Sequence, residues 1–166
     1  MASRPAANSF GARPHDHRRC VARALDEAAR LCAGQGARLT PMRRAVLALV
    51  WRSHAPVGAY DILARLPRGQ RPAAPPTVYR ALDFLLDHGL VHRIESLNAF
   101  VGCARPGHGH DGQFLICTNC RAAAEIDDRG LGDAAARSAR RAGFQLRRRT
   151  IELQGLCSRC SAREAA

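Results

Sequence analysis

In the first half of the chain, apolar residues recur every three to four positions, the period of a helix with one buried face. This spacing predicts four helices. The Thr40-Pro41 pair marks the start of the second, because threonine accepts a hydrogen bond from a free backbone N–H and proline suits the first helical turn. Thr77 is predicted to cap the fourth helix, and Gly89 to end it. The predicted ranges are 19–33, 41–53, 59–66 and 78–88.

After residue 89 the pattern changes to short apolar runs separated by turn residues, which predict strands. Residues 90–96 and 98–103 form two such runs around a tight turn, and we expect a β-hairpin there. Helices followed by a hairpin are typical of a winged helix, in which the helix at 78–88 would be the recognition helix.

The remaining residues predict a second, smaller lobe of mixed structure. Strands are expected at 113–116, 122–127 and 145–154, with a helix at 131–142. The fold class is therefore α+β. The predicted divisions are a disordered basic tail at 1–18, a winged-helix domain at 19–96, a hinge at 97–103 and the second lobe at 104–166.

The balance of charge favours a polyanionic partner for the first half. The 166 residues include 26 basic and 14 acidic side chains, a formal net charge of +12, and every basic residue is arginine. Before position 96 there are 15 arginines against 7 acidic residues, as expected of a domain that binds DNA. The arginine-rich proteome that a GC-rich genome encodes would also raise this count. We expect no membrane span and no secretory signal, and hence a cytoplasmic protein with reduced cysteines.

Two C-x-x-C pairs lie in the second lobe, and they predict a structural metal site. A C-x-x-C turn presents two thiolates to one ion without backbone strain, and two such turns complete a tetrahedral coordination sphere. A closed Zn(Cys)4 site leaves no position for a substrate, so it is not a catalytic centre. A redox dithiol is the alternative for either pair. The four predicted zinc ligands are Cys117, Cys120, Cys157 and Cys160.

Besides the cysteine pairs, four segments carry a resemblance to a known family: RLTPMR at 38–43, AYD at 59–61, PPTVYRALDFL at 75–85 and GLVHRIES at 89–96. Together they resemble the ferric uptake regulator superfamily, and most of all its zinc-sensing branch. The resemblance covers about residues 20–162. It implies an N-terminal winged helix and a C-terminal dimerisation domain. It also implies a homodimeric, zinc-responsive repressor that binds a palindromic double-stranded DNA operator and represses zinc-uptake genes.

A second, regulatory zinc site is predicted around the hairpin. His92 and Cys103 belong to its two strands, so strand pairing would bring them together. His110 follows in the next loop, and Glu125 lies beyond the first cysteine pair. Nitrogen, sulfur and oxygen donors in this combination suit Zn²⁺, and the resemblance implies that these four residues form the regulatory site, with His108 as an alternative to His110. Two zinc ions per subunit are therefore predicted.

These ligands come from both predicted domains, with Cys103 at the hinge between them. An ion bound by all four would restrict the relative orientation of the domains. It would favour the conformer in which both recognition helices of a dimer reach successive major grooves. DNA and zinc should then tighten each other's binding by the same factor.

The recognition helix supplies the main predicted contacts to DNA bases. Arg80 and Tyr79 lie in its first turns, where arginine can pair with guanine and a tyrosine ring can pack on a thymine methyl. Tyr60 resembles a DNA-contacting tyrosine of the family. Phosphate or minor-groove contacts are expected from the other members of the set. The predicted DNA-binding residues are Tyr60, Thr77, Tyr79, Arg80, Arg38 and Arg43.

Three other functions were weighed against this one. A family sensor of iron, peroxide or another metal is the nearest, because the HGHDG run at 108–112 partly resembles the histidine-rich cluster of iron-type members; the Cys103 thiolate favours zinc instead. A zinc enzyme would need an open coordination position and a general base, and no such motif is found, so neither catalysis nor a small-molecule substrate is expected. A thiol switch built on the C-x-x-C pairs would lose zinc on mild oxidation.

Overall fold

The computed structural model describes residue 10 and residues 16–53, 55–67, 74–107 and 112–164. The chain divides into two compact units. The N-terminal unit spans Arg13–Gly109, and the C-terminal unit spans His110–Ala166 and also contains Phe10. Most of the predicted tail lies outside the described residues, as do His108 and His110. Among the residues described, no helix is both long and apolar enough to cross a membrane.

Within its described residues, the N-terminal unit combines four helices with a small antiparallel sheet, and the winged-helix prediction is confirmed. Its sheet has the strand order β1-β3-β2. The elements are α1 (His17–Gly34), α2 (Pro41–Trp51), β1 (Val57–Gly58), α3 (Ala59–Arg65), α4 (Pro75–Asp87), β2 (Val91–Ile94) and β3 (Ala99–Gly102).

Side-chain caps determine where α1 and α2 begin. Asp16 accepts a hydrogen bond from the backbone N–H two residues further on, at 2.9 Å, so α1 starts at His17 and not at residue 19. Thr40 accepts from the N–H of Arg43, and Pro41 is the first residue of α2, as predicted. Capping thus extends the helical unit into the segment that was expected to be a disordered tail.

Helix α4 begins earlier than predicted. Its N-cap is Ala74, which makes no side-chain cap, and Pro75 and Pro76 form the first turn. The prediction that Thr77 caps this helix is therefore wrong. Proline already has a helical φ and lacks the N–H that would need a partner, so the Pro-Pro pair starts the helix ahead of Thr77. At the other end, Gly89 adopts a φ of 63° and ends the helix as predicted.

The hydrophobic core of this unit lies between α2 and α4. Each of the two helices turns one apolar face inward, which leaves the opposite face of α4 open to solvent. Burial of this kind contributes about 1.5–3 kcal/mol for each large aliphatic side chain. The fully buried side chains of the two helices are Val46, Leu47, Val50, Val78, Leu82 and Leu85.

The wing is formed by β2 and β3, which pair antiparallel with Val91 opposite Gly102 and His92 opposite Val101. A single 3₁₀ turn (Glu95–Leu97) connects them, where the prediction had extended both strands. Strand β1 was not predicted, because a two-residue strand has no recognisable alternation of its own and depends on its pairing with β3.

The part of the C-terminal unit that the structure describes is a three-stranded sheet with two helices. Its strand order is β5-β4-β6, and β4 and β6 run parallel because the chain crosses over through α5. The last strand starts five residues later than predicted, and α6 was not predicted. The elements are β4 (Gly112–Cys117), β5 (Ala123–Glu125), α5 (Arg129–Arg141), β6 (Thr150–Gly155) and α6 (Ser158–Glu164).

Candidate metal centre and nucleic-acid interface

The two C-x-x-C pairs meet at one end of the C-terminal sheet. Cys117 is the last residue of β4 and lies opposite Gly155, the last residue of β6. Cys157 follows two residues later and precedes α6, so Cys160 is in the first turn of that helix. Parallel pairing of β4 and β6 therefore brings together thiols that are far apart in the sequence.

The four thiols have the spacing of a tetrahedral zinc site. Their Sγ atoms all lie within 4.8 Å of one another, and Cys120 Sγ is 3.8 Å from Cys157 Sγ. Tetrahedral coordination at a Zn–S distance of about 2.3 Å places neighbouring sulfur atoms about 3.8 Å apart. Three of the cysteines are buried, Cys120 is exposed, and Phe10 packs against the buried group. The donor set and its geometry fit Zn²⁺.

Backbone hydrogen bonds prepare two of these sulfur atoms to act as thiolates. The N–H groups of Cys120 and Cys157 donate to Cys117 Sγ, and they lower the pKa of the Cys117 thiol to about 6. The N–H of Cys160 likewise lowers the pKa of Cys157. The Cys157 side chain and burial raise the pKa of Cys160 to about 12, so this thiol is protonated at neutral pH until a cation replaces its proton.

A second pair of metal donors lies on the wing of the N-terminal unit. His92 is opposite Val101, so strand alternation puts His92, Val101 and Cys103 on the same face of the hairpin. A ring nitrogen of His92 and the Sγ of Cys103 lie within 4.8 Å of each other. The Cys103 thiol is only 1% exposed, and the backbone N–H of Cys103 donates to the carbonyl of Leu90 at 3.1 Å.

The third predicted ligand, Glu125, is a buried carboxylate of the C-terminal unit. It ends β5, lies opposite Phe114 and is 4% exposed. A carboxylate at such a position is costly to bury unless it is bonded to other groups or to a cation. His110 and its alternative His108 lie outside the described residues.

Five of the six predicted DNA-binding residues are exposed, and three of them lie in the first turns of α4. Tyr60 at the start of α3 and Tyr79 in α4 are 70% and 40% exposed, unusually open for aromatic side chains. Thr77 and Arg80 are exposed beside Tyr79 on α4. Arg38, just before α2, is exposed as well. The N-terminal part of α4 therefore presents a polar and aromatic face, as a recognition helix does.

Arg43 differs from the other predicted DNA contacts because its guanidinium is already used within the protein. Its Cζ lies 3.5 Å from the centre of the Phe84 ring, and its Nη1 donates to the carbonyl of Arg38 at 2.6 Å. On its other side, Phe84 stacks with the ring of His88 at 3.9 Å. This packing joins the start of α2 to α4, and the sequence pattern gave no sign of it.

The sequence matches the model of the ferric uptake regulator family over residues 34–154. The chain belongs to the ferric uptake regulator family. The matched residues include α2 to β3 of the N-terminal unit and the first cysteine pair but end before Cys157 and Cys160. The position of those two cysteines beside the first pair comes from the pairing of β4 and β6.

Within the ferric uptake regulator family, the chain is similar to zinc regulators. It is 42% identical over 144 residues to the zinc uptake regulation protein of Escherichia coli (strain K12), covering 85% of this chain and 83% of that protein. The structure of a zinc uptake regulator complexed with zinc and DNA matches with a TM-score of 0.82 and 40% identity, covering 88% of this chain and 98% of that one. The peroxide operon regulator of Bacillus subtilis (strain 168) is 28% identical over 146 residues, covering 87% and 98%.

Proposed function

We propose that this protein is a zinc-responsive transcriptional repressor of the cytoplasm. Its zinc-bound homodimer would bind a palindromic operator and repress zinc-uptake genes. The observation that carries the proposal is the similarity, over most of both chains, to a zinc uptake regulator solved with zinc and DNA. The chain's own thiol donors support the same metal, since thiolate and imidazole ligands select zinc over harder cations.

DNA binding is assigned to the exposed face of α4 and its surroundings. Arg80 would pair with a base edge, and Tyr79 and Tyr60 would pack against bases or sugars. Thr77 and Arg38 are assigned to the phosphate backbone and minor groove. Arg43 is assigned a phosphate contact through a side chain that also packs on Phe84. The net charge of +12 supports binding to a polyanion.

Metal sensing is assigned to a second zinc site, separate from the tetracysteine site. Its proposed ligands are His92, Cys103, His110 and Glu125, which would make two zinc ions per subunit. The buried thiol and half-buried imidazole of the wing and the buried carboxylate of β5 support this set. When bound, zinc would restrict the orientation of one unit relative to the other. The wing supplies two of its ligands and is connected through α4 to the DNA-binding face.

Dimerisation is assigned to the C-terminal unit. Strand β6 is at the edge of its sheet, so one side of its backbone is available to another strand. Large apolar side chains are exposed on this strand and beside it, which is unusual for a surface in contact with water. A second copy of the chain would cover them. The exposed apolar side chains are Phe144, Leu146, Leu153 and Leu156.

The test is a DNA-binding assay with the metal controlled. Purified protein is mixed with a labelled candidate operator at fixed salt, with free Zn²⁺ and Fe²⁺ buffered in separate series. Wild type is compared with Cys103→Ser, which removes one regulatory ligand and leaves all four structural cysteines. Cys20→Ser is the matched control, because Cys20 is a half-buried cysteine of the same unit outside both sites.

We expect zinc to drive tight binding of wild type and of Cys20→Ser, and not of Cys103→Ser. Zinc content by mass spectrometry should fall from two ions to one per subunit in Cys103→Ser alone. Equal binding with iron, or normal zinc response in Cys103→Ser, would contradict the zinc-sensing assignment. The first of those results would favour a family sensor of another metal.

A further inference from the structure

The only tryptophan of the chain lies directly behind the strand that carries Cys103. Trp51 is the last residue of α2, and its indole covers Gly102 of β3. A Cβ at position 102 would lie 2.8 Å from Cδ2 of Trp51 and closer still to Cε2 and Nε1. No side chain larger than hydrogen therefore fits under the ring. The indole is in direct contact with the backbone immediately before the Cys103 ligand.

Strand alternation puts this contact and the metal donors on opposite faces of the hairpin. Gly102 is opposite Val91, a core residue, so its face is the one that packs on the helices. His92 and Cys103 lie on the other face. Trp51 supports the strand from the side of the helices, while the imidazole and thiol project from the opposite side.

The same segment is also confined at its far end. Gly107 has a φ of 80°, and a Cβ there would lie 2.7 Å from Cδ2 of Leu31 on α1. The stretch that begins with Gly102 and Cys103 is thus in close contact with α2 at one end and with α1 at the other. Two separate helices of the DNA-binding unit therefore limit where Cys103 can move.

We propose that Trp51 is a positioning residue for the regulatory metal: by packing on Gly102 it fixes the strand so that the Cys103 thiolate meets His92 at ligand distance. This rests on the proposed function of the His92–Cys103 site. A rigid backing reduces the conformational entropy that metal binding would otherwise cost. It also joins the site to α2, which packs against α4. Residues that orient ligands in this way typically change metal affinity by about 10- to 100-fold when substituted.

The first measurement is the fluorescence of Trp51 during zinc addition to the full-length homodimer. Protein holding one zinc per subunit is given a second equivalent against a competing chelator. In a parallel titration Co²⁺ replaces the second zinc, and the absorbance of its bond to the thiolate reports occupancy of the second site independently. We expect the emission to change with the second equivalent and not with the first, and to stay constant in Cys103→Ser.

The second measurement compares the affinity for the second zinc among variants. Gly102→Ala, which puts a methyl group into the space of the indole, is expected to weaken it about tenfold, as is Trp51→Ala. Trp51→Phe keeps an aromatic ring and is expected to fall between wild type and Trp51→Ala. Gly34→Ala is the matched control, since a Cβ at Gly34 meets nothing within 4 Å. Affinity for the first, tetracysteine zinc should be the same in every variant.

Three results would overturn the inference. One is wild-type affinity for the second zinc in both Gly102→Ala and Trp51→Ala. Another is an unchanged emission while Co²⁺ absorbance shows the second ion bound. Either of these results would contradict the role of Trp51 and leave the proposed regulatory site standing. A wild type that takes up one zinc only would overturn the proposed regulatory site and this inference together.

Discussion

Two arginines that were predicted to contact DNA have different surroundings. Arg80 is exposed on α4, while the guanidinium of Arg43 lies over the Phe84 ring and donates to the carbonyl of Arg38. A cation against an aromatic face adds about 0.5–1 kcal/mol at an exposed site. Arg43 therefore contributes to the packing of α2 against α4 whether or not it also meets a phosphate.

Substitution of each arginine by alanine separates the two roles. Arg80→Ala is expected to weaken operator binding by about 1–3 kcal/mol and to leave the melting temperature unchanged, because the side chain makes its main contacts in the complex. Arg43→Ala is expected to lower the free energy of unfolding by about 1 kcal/mol. Fluorescence anisotropy with a labelled operator and thermal melts measure the two effects. Arg163→Ala on α6 is the control. If Arg80→Ala binds the operator as tightly as wild type does, Arg80 is not part of the interface.

Residues whose role depends on local spacing could be predicted from the sequence. Cys117 and Cys120 form a recognisable pair because three residues of separation already fix their geometry. The support of Cys103 by Trp51 could not be predicted, because it depends on where the end of α2 meets the third strand of a sheet. Nothing near Trp51 or Gly102 in the sequence marks them as partners. Contacts of this kind are decided by tertiary packing alone.

At the level of elements, α4 shows how a helix start changes the role of a residue. Since the helix begins at Pro75, Thr77 lies inside the first turn, with its side chain exposed. Its hydroxyl does not cap the helix and can face a phosphate instead. Asp128, by contrast, is a true cap, because its Oδ1 accepts from the N–H of Leu131 at the start of α5 at 3.1 Å.

The two positions should therefore respond differently to alanine. Thr77→Ala is expected to leave the free energy of unfolding within about 0.5 kcal/mol of wild type, as surface substitutions usually do. Asp128→Ala is expected to lower it by about 1 kcal/mol through loss of the cap. Chemical denaturation of the zinc-loaded protein measures both. A loss of stability in Thr77→Ala as large as that in Asp128→Ala would show that Thr77 caps α4 after all.

Helices and strands were both predicted well where their signals lie in contiguous residues, and β2 to β5 were each predicted to within one residue at their starts. Helical periodicity and capping depend on residues that are close together in the sequence. Helices α2, α3 and α5 were therefore each predicted to within two residues at their starts. Strand β1 and the true start of β6 depend on partners distant in the sequence. Helix α6 is a seven-residue segment beside the second cysteine pair, too short for a periodic pattern to reveal.

At the scale of the whole molecule, the exposed apolar side chains of the C-terminal unit predict that a second copy of the chain binds there. Leu153→Arg is expected to weaken dimerisation at least tenfold, because burying a leucine side chain contributes about 1.5–3 kcal/mol and the arginine adds a charge that must be desolvated. Sedimentation velocity over a range of concentrations measures the change. Gln35→Arg at the end of α1 adds the same charge elsewhere and should remain dimeric. A dimeric Leu153→Arg would place the interface on another surface.

The two cysteine pairs meet at the ends of β4 and β6. The free energy of unfolding of the C-terminal unit therefore depends on the metal that these cysteines bind. A ligand that binds only the folded state adds about 1.4 kcal/mol for each tenfold rise in its free concentration. With zinc at these four sulfur atoms, the resistance of the C-terminal unit to unfolding is not a fixed property of its sequence. It is set by the metal buffer around it, and in a zinc-starved cell the unfolded, protease-accessible fraction rises. The resistance of the C-terminal unit to proteolysis would then depend on the zinc supply of the cell.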